Sequence, residues 1–157
     1  MKQMQHYIEW VLLNIVLWLV GNLPYTWSLG LGSAITRALW VIGIRKDISR
    51  KNFELAFREE FTPQKRDRIL RSAYSNFGRA MVEFSLISRL RPDCLRRLVN
   101  IDEAKCIEEL REEDKGAILV TGHLGSWELL GAALVAWGLK ISFLVGKQHN
   151  DRVDQLM

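Results

Sequence analysis

His123 and Glu128 are the residues whose types and spacing could do chemistry. They lie in the run Gly122-His-Leu-Gly-Ser-Trp-Glu128, a glycine-containing turn that leads into an apolar helical pattern. A histidine at the start of a helix is a candidate general base, because the positive end of the helix dipole disfavours the imidazolium form and leaves a ring nitrogen able to accept a proton. A carboxylate on the other ring nitrogen would fix the tautomer and stabilise the cation that forms.

The spacing of this pair works only if His123 stands outside the helix. Five residues of continuous helix rotate by about 500°, which would leave the two side chains roughly 140° apart. If His123 lies in the preceding turn, Gly125 supplies the hinge and Glu128 in the first helical turn can point back to it. No serine or cysteine stands in a nucleophile elbow, so direct attack by a substrate hydroxyl fits better than a covalent acyl-enzyme.

The His-x4-acid pattern is weak by itself. With 18 acids in 157 residues, roughly one histidine in nine has an acid at that position by chance. His149 and Asp154 match the same pattern. That second pair lacks the glycine-flanked turn and the apolar helix that would bury and orient it, so we attribute it to chance.

Two apolar runs flank the turn and predict a strand, a helix and a second strand. Residues 117–121 and 141–145 are short and continuously apolar, a pattern typical of strands buried on both faces. A right-handed crossover would make the strands parallel, and ligands bind at the carboxyl ends of such strands, where His123 stands. The predicted fold class is therefore α/β, in which apolar and amphipathic helices precede the strand-helix-strand start of a parallel sheet that looks truncated.

The elements before this unit differ sharply in charge. Between Glu9 and Arg37 lie 27 residues without Asp, Glu, Lys or Arg, more than the roughly 20 that a membrane-spanning helix needs. Gly21, Asn22 and Pro24 interrupt this stretch and predict two helices, over 7–20 and 25–44, that either span a bilayer, lie against lipid or pack in the core. No signal-cleavage site follows, so we expect the segment to stay attached.

The next segment is basic. Residues 45–79 carry ten Lys or Arg against five acids, a local excess of +5 that is larger than the +4 of the whole chain. Such a belt suits anionic headgroups or an acidic carrier protein, although a solvated helical face is the simpler explanation of any single arginine. Nucleic acid is a weaker candidate, because acids interrupt the basic residues and no base-reading motif accompanies them.

Three helices are predicted in the middle of the chain. Asp47 would cap the first, which carries Ile48 and Leu55, and Thr62 with Pro63 would begin a longer amphipathic helix that ends near residue 91. A third covers 102–113. The stripe predicted to face the core in the long helix consists of Ile69, Ala73, Phe77, Met81, Phe84 and Ser88.

Length and composition limit the class of protein. A chain of 157 residues with 48% apolar and 25% charged residues is the size of one domain and is neither disordered nor a disulfide scaffold. Cys94 and Cys106 form no metal-binding or dithiol redox motif, so we expect reduced, buried thiols.

The residues now carry a family resemblance. The stretch 118–128 resembles the block around the catalytic His-x4-Glu of the lipid A biosynthesis (lauroyl/myristoyl) acyltransferases, a branch of the lysophospholipid acyltransferase superfamily. Upstream, the run Arg-Lys-Asn-Phe-Glu-Leu-Ala-Phe at 50–57, the run Phe-Gly-Arg at 77–79 with Glu83, and the leader broken at Pro24 look like the amino-terminal half of that family. The resemblance covers nearly all of the chain.

The resemblance implies transfer of a fatty acyl chain from acyl carrier protein to a hydroxyl of a glycolipid, a lipid A precursor. It implies a location at the cytoplasmic face of a Gram-negative inner membrane, with no metal and no bound cofactor. His123 would be the base and Glu128 its partner. The residues implied to lie near the acceptor pocket are Gly125, Ser126, Lys147 and Asn150.

Two of these positions depart from the family pattern. Most members have Asn where Ser126 stands, and Arg is commoner at the place of Lys147. Both replacements keep a polar or cationic group, so they bear on the choice of acceptor more than on the chemistry.

The domain organisation follows from the same resemblance. The apolar leader predicts membrane-associating apolar helices over residues 1–44. Members of the family are longer, so we expect residues 45–157 to form the amino-terminal half of an acyltransferase domain. Two alternatives stay open. One is an acyltransferase that acts on another lipid acceptor, such as a lysophospholipid, an aminolipid or a phosphoinositide mannoside, and the other is a catalytically inactive membrane-docking fragment.

Overall fold

The computed structural model describes residues 2–101, 105, 108, 109, 112 and 117–144, and this part of the chain is helical. The elements, in chain order, are α1 (Lys2–Asn22), α2 (Tyr25–Val41), α3 (Lys46–Phe57), α4 (Pro63–Leu86), a 3₁₀ turn (Ile87–Arg89), α5 (Pro92–Leu98) and α6 (Trp127–Ala136).

The α/β fold class and its parallel sheet are wrong for the described part of the chain, which contains no strand. Residues 117–121 and 141–144 are irregular, and Ile118 and Val120 are 94% and 88% exposed. An apolar run shows that its side chains favour burial, but a strand exists only when a second backbone pairs with its N–H and C=O groups. Neither run has such a partner within the ranges described. The helix predicted between them is confirmed as α6.

The apolar leader forms two helices, as predicted. α1 ends at Asn22, and α2 begins at Tyr25 after Pro24, whose fixed φ suits the entrance to a helix and whose missing N–H costs nothing there. In the described residues no single helix is both long and apolar enough to cross a membrane; α2 and α3 meet that test only as a pair, and their axes differ by 90°. The division at residue 44 stays a prediction.

α2 and α4 form the most extensive helix contact among the described elements. The backbones approach closely where Gly32 meets Gly78, since a Cβ placed on Gly78 would lie 2.2 Å from the Gly32 carbonyl oxygen. Thr36 also lies in this contact and donates its hydroxyl proton to the same carbonyl at 3.0 Å. Only glycines allow this distance between the axes, so the pair fixes the register of α2 on α4.

The start of α4 is confirmed, whereas the stripe predicted to face the core is wrong. Thr62 is the N-cap, its hydroxyl accepts the Lys65 N–H at 3.3 Å, and Pro63 is the first helical residue. Ile69, Phe77 and Met81 of the predicted stripe are exposed. The buried positions of α4 are Leu70, Gly78, Ala80, Val82 and Leu86.

In α3, as in α4, the predicted helix forms but its buried face differs from the predicted one. The helix forms, but its N-cap is Arg45 in a left-handed conformation (φ 55°), and Asp47 lies in the first turn rather than at the cap. Phe53 is the buried residue, whereas Ile48 and Leu55 point outward. Phe53 packs in a cluster with Trp40 of α2 and Leu70 of α4, which joins three helices.

The carboxyl-terminal elements pack on one another. α5 buries Leu95 and contacts α6, which buries Leu129 and Leu134. The predicted helix over 102–113 falls largely outside the described residues; its predicted Lys105–Glu109 pair is present at 3.7 Å. Cys94 is exposed, so its predicted burial is wrong, and Cys106 lies outside the described residues.

Candidate active site

His123 lies in a tight turn just before α6, as the sequence predicted. The Leu124 N–H donates to the Gly122 carbonyl at 2.9 Å, a three-residue turn centred on His123. The turn holds the residue out of the helix, and its side chain is exposed. No described residue covers the imidazole.

The Trp127 ring packs against the imidazole of His123. The two ring centroids lie 4.8 Å apart at an interplanar angle of 63°, an edge-to-face arrangement that restricts rotation of both side chains. Trp127 was not among the site residues predicted from the sequence. The signal was available in the spacing, because a residue four positions after a turn histidine and in the first helical turn faces back toward it.

Glu128 and Ser126 each bring an unpaired polar atom to the same helix start. Ser126 is the N-cap of α6 and makes no side-chain capping bond, and Glu128 lies in the first turn. Ser126 Oγ and Glu128 Oε2 are buried and have no hydrogen-bond partner within the described part of the chain. A buried oxygen without a donor costs about 1–3 kcal/mol, so both atoms are prepared to accept one. The pairing of Glu128 with His123 stays a prediction.

The remaining residues implied near the acceptor pocket divide into two groups. Gly125 adopts φ 61°, a left-handed conformation that favours glycine, and no atom of the described residues lies within 4 Å of where its Cβ would be. The backbone there is open to an approaching ligand. Lys147 and Asn150 lie outside the described residues, so their part in the site stays a prediction.

Arg96 anchors the far end of α6. Its Nε and Nη2 donate to the Ala136 carbonyl at 2.9 and 2.7 Å, across the contact between α5 and α6. A guanidinium at this position satisfies a terminal carbonyl and complements the negative end of the helix dipole. It therefore stabilises the helix that carries Glu128, a role that was not predicted from the sequence.

The basic belt is partly neutralised between α3 and α4. Arg50 and Arg66 both donate to Asp67, and Arg66 also pairs with Glu54. The hydrogen bonds from Arg50 hold the pKa of the Asp67 carboxyl below its usual value, against the opposing effect of its burial. Two of the arginines that the charge count offered to a partner are thus engaged in joining helices.

A family model matches the chain over residues 1–157, its whole length; the model describes the bacterial lipid A biosynthesis acyltransferases. The chain belongs to that family. The family resemblance found in the sequence is therefore confirmed, and membership implies an acyltransferase that acts on lipid. Members of the family are typically associated with membranes. No curated protein and no solved structure matches the chain.

Proposed function

We propose that this lipid A-family acyltransferase moves a fatty acyl chain from acyl carrier protein to a hydroxyl of a lipid A precursor, with His123 as general base. The observation that carries the proposal is the start of α6. There an exposed imidazole rests on Trp127, and Glu128 lies in the first helical turn with a buried Oε2 that has no partner among the described residues.

The chemistry follows from a thioester donor and an alcohol acceptor. The acceptor hydroxyl gives its proton to His123 while its oxygen attacks the thioester carbonyl carbon. The carbon–sulfur bond then breaks, and the leaving thiolate takes the proton from the imidazolium. Glu128 would stabilise the imidazolium between these steps, as a carboxylate does in hydrolase triads. This route needs no covalent acyl-enzyme.

The acceptor pocket is proposed at the open side of the same turn. The free space around Gly125 lets the acceptor approach the backbone, and the Oγ of Ser126 is available to accept a hydrogen bond. Lys147 and Asn150 would contribute from the segment beyond residue 144. An anionic headgroup or phosphate of the precursor suits Lys147.

The proposed location is the cytoplasmic face of the inner membrane. The apolar helices of residues 1–44 would hold the protein at the lipid where the acceptor resides. Tyr7, Leu12 and Trp18 of α1 are all exposed, which gives the helix apolar side chains to place in a bilayer. The basic residues of 45–79 suit the acidic carrier protein.

The direct test is acyl transfer from acyl–acyl carrier protein to a lipid A precursor by the purified chain. We expect His123→Ala to lower the turnover number by at least about 10²-fold, since a general base contributes 10²–10⁴-fold. Glu128→Gln should lower it by about 10²-fold and leave KM nearly unchanged. His149→Ala, at the second His-x4-acid match, is the matched control and should keep wild-type turnover. Turnover retained by His123→Ala would remove that residue from the mechanism.

A panel of acceptors tests the substrate. A lysophospholipid, an aminolipid and a phosphoinositide mannoside presented beside the lipid A precursor should be acylated much more slowly. A faster reaction with one of them would identify that lipid, and not the lipid A precursor, as the acceptor. Vesicle binding without transfer to any acceptor would instead favour a catalytically inactive docking fragment, a function to which the exposed apolar residues of α1 are also suited.

A further inference from the structure

The corner between α2 and α3 exposes apolar side chains that no described element covers. α2 ends at Val41, four residues of turn follow, and α3 leaves at 90°. The outward apolar residues around this bend form what we name the corner surface: Val41, Ile42, Ile44, Ile48 and Leu55. Val41, Ile42 and Leu55 are 77%, 69% and 82% exposed, so most of each side chain is in contact with solvent.

The corner surface lies opposite a well-packed interior. Trp40, next to Val41, is buried, and Phe53 packs beside it. Ile48 and Leu55 are seven residues apart and so share one face of α3, while Phe53 is on another. The outward face of α3 therefore carries Ile48 and Leu55 with the exposed Lys51 and Asn52 between them, and no described element covers it.

Basic residues border the corner surface. Over 37–51 the chain carries five Lys or Arg and one acid, Asp47. Arg50 is engaged by Asp67, whereas Arg37, Arg45 and Lys51 are exposed. The Nζ of Lys46 lies 4.6 Å from the centroid of the Trp40 ring, and this cation–π contact holds the charge beside the bend between α2 and α3.

We infer that the corner surface docks onto an anionic lipid interface and forms a second membrane contact, separate from α1. A projecting apolar corner with a cationic border fits this surface, because apolar side chains enter the interface by roughly 5–10 Å while Lys and Arg remain among the headgroups. The same cationic border repels a second copy of the chain, so charge complementarity selects lipid over self-association. The inference rests on the membrane association proposed above and not on acyl transfer.

The docking orients the protein as well as holding it. α3 would lie along the interface with Ile48 and Leu55 toward the acyl chains, and α2 would leave the interface at the observed right angle. With α1 as the other contact, two separate attachments fix the rotation of the helical scaffold relative to the bilayer.

The test places an environment-sensitive fluorophore at single cysteines in a Cys94→Ser, Cys106→Ser background. Labels at Ile42→Cys, Leu12→Cys and Val135→Cys report on the corner surface, on α1 and on an exposed residue of α6. Vesicles of phosphatidylglycerol with phosphatidylcholine should shift the emission at 42 and 12 to the blue and leave 135 unchanged. Co-sedimentation confirms that each labelled protein is bound.

The outcomes separate this inference from the proposal on which it rests. A shift at 12 with none at 42 on bound protein would overturn the corner contact and leave membrane association standing. No shift at either site would overturn both. A change at 42 that depends on protein concentration without vesicles would show that a second copy covers the surface, and would also refute the inference.

The charge component has its own matched pair. Arg37→Gln and Lys51→Gln should each weaken binding to anionic vesicles by about five-fold, because each basic residue near an anionic surface contributes a similar amount to the binding free energy. Arg97→Gln, an exposed arginine of α5, changes the net charge equally and should have little effect. Equal losses from all three variants would show that binding depends only on net charge, and would refute a localised contact. Both main variants should lose their effect at high salt.

Discussion

The contact between α2 and α4 and the turn before α6 differ in how their polar atoms are satisfied. In α2, the fully buried Ser28 hydroxyl donates to the Val20 carbonyl at 2.8 Å, and Thr36 donates to Gly32. At α6, the buried Ser126 Oγ and Glu128 Oε2 have no partner among the residues that the structure describes. The polar atoms of the first region are paired within it, whereas the second leaves two buried oxygens that the described residues do not satisfy.

Apolar side chains show the same contrast. Val20 of α1 and Val82 of α4 are buried in one cluster, whereas Ile118 and Val120, just before His123, are almost fully exposed. Burying a valine or isoleucine side chain is worth about 1.5–3 kcal/mol. The helical scaffold has gained this free energy, and the segment that precedes the candidate base has not.

The largest expected effect tests whether the scaffold is as well packed as described. Trp40→Ala should lower the free energy of unfolding by about 4 kcal/mol, because the ring is 2% exposed and joins three helices. Trp27→Ala in the same helix is the matched control. Its ring is 70% exposed, so the change should be under about 0.5 kcal/mol. Urea denaturation followed by circular dichroism measures both, and equal losses would mean that α2 does not pack by this face.

The close contact between Gly32 and Gly78 gives the next largest expected effect on the free energy of unfolding. Gly78→Ala should cost about 2 kcal/mol, since its Cβ would lie 2.2 Å from a backbone oxygen of α2 and force the helices apart. In the described part of the chain no atom lies within 4 Å of a Cβ placed on Gly30, so Gly30→Ala should stabilise α2 by about 0.5–1 kcal/mol through helix propensity. In thermal denaturation, a lower midpoint for Gly78→Ala and a higher midpoint for Gly30→Ala would support the observed register of α2 on α4. A stabilised Gly78→Ala variant would contradict it.

The bond between Tyr25 and Glu83 predicts a smaller, pH-dependent effect. Burial, and then the charge and hydrogen bond of Glu83, raise the pKa of Tyr25 from 10.0 to about 12. A raised pKa means that the folded state favours the protonated phenol, so the contribution is complete below about pH 10 and is lost as pH rises through 12. Tyr25→Phe should cost about 1 kcal/mol at pH 8.

The difference between wild type and Tyr25→Phe should then shrink as pH rises from 10 to 12. Urea midpoints measured across that range provide the check. Glu83→Gln keeps an acceptor but removes the charge, so it should lower the pH at which the contribution disappears. A constant difference across the range would exclude the phenol as its source.

The smallest expected effect tests the other region. Ile118→Ser should change the free energy of unfolding by less than about 0.5 kcal/mol, because the side chain is 94% exposed. Val82→Ser, at 5% exposure in α4, should cost about 3 kcal/mol. A comparable loss at Ile118 would show that the segment packs in solution and would remove the contrast between the two regions.

Prediction from sequence succeeded where local chemistry decides the structure. Thr62 and Pro63 begin α4 because a hydroxyl that accepts a free N–H and a residue without one both suit a helix start. The turn at His123 and the start of α6 followed from the neighbouring glycines and the helical apolar pattern in the same way. The position of Glu128 in the first turn was therefore predictable, whereas the contact of Trp127 with His123 was overlooked.

Prediction failed where two distant segments must meet. Ile69, Phe77 and Met81 look as suitable for a core as Leu70 and Val82, and the hydrophobic pattern of α4 alone does not rank them. The close approach of Gly32 to Gly78 selects the inner face, and that contact joins residues far apart in sequence. The same limit explains the strands predicted over 117–121 and 141–145, since side-chain hydrophobicity does not supply the backbone partner that a strand needs.

The sequence by itself determined the helix boundaries at Pro24 and Thr62, the turn that presents His123, and the family to which the chain belongs. These depend on short-range forces or on residue identity, and both can be read along the chain. The tertiary structure decided which face of each amphipathic helix is buried, which arginines are engaged by acids, and which apolar residues remain outside. Those outcomes depend on packing between distant segments, such as the contact of Gly32 with Gly78, which cannot be read along the chain.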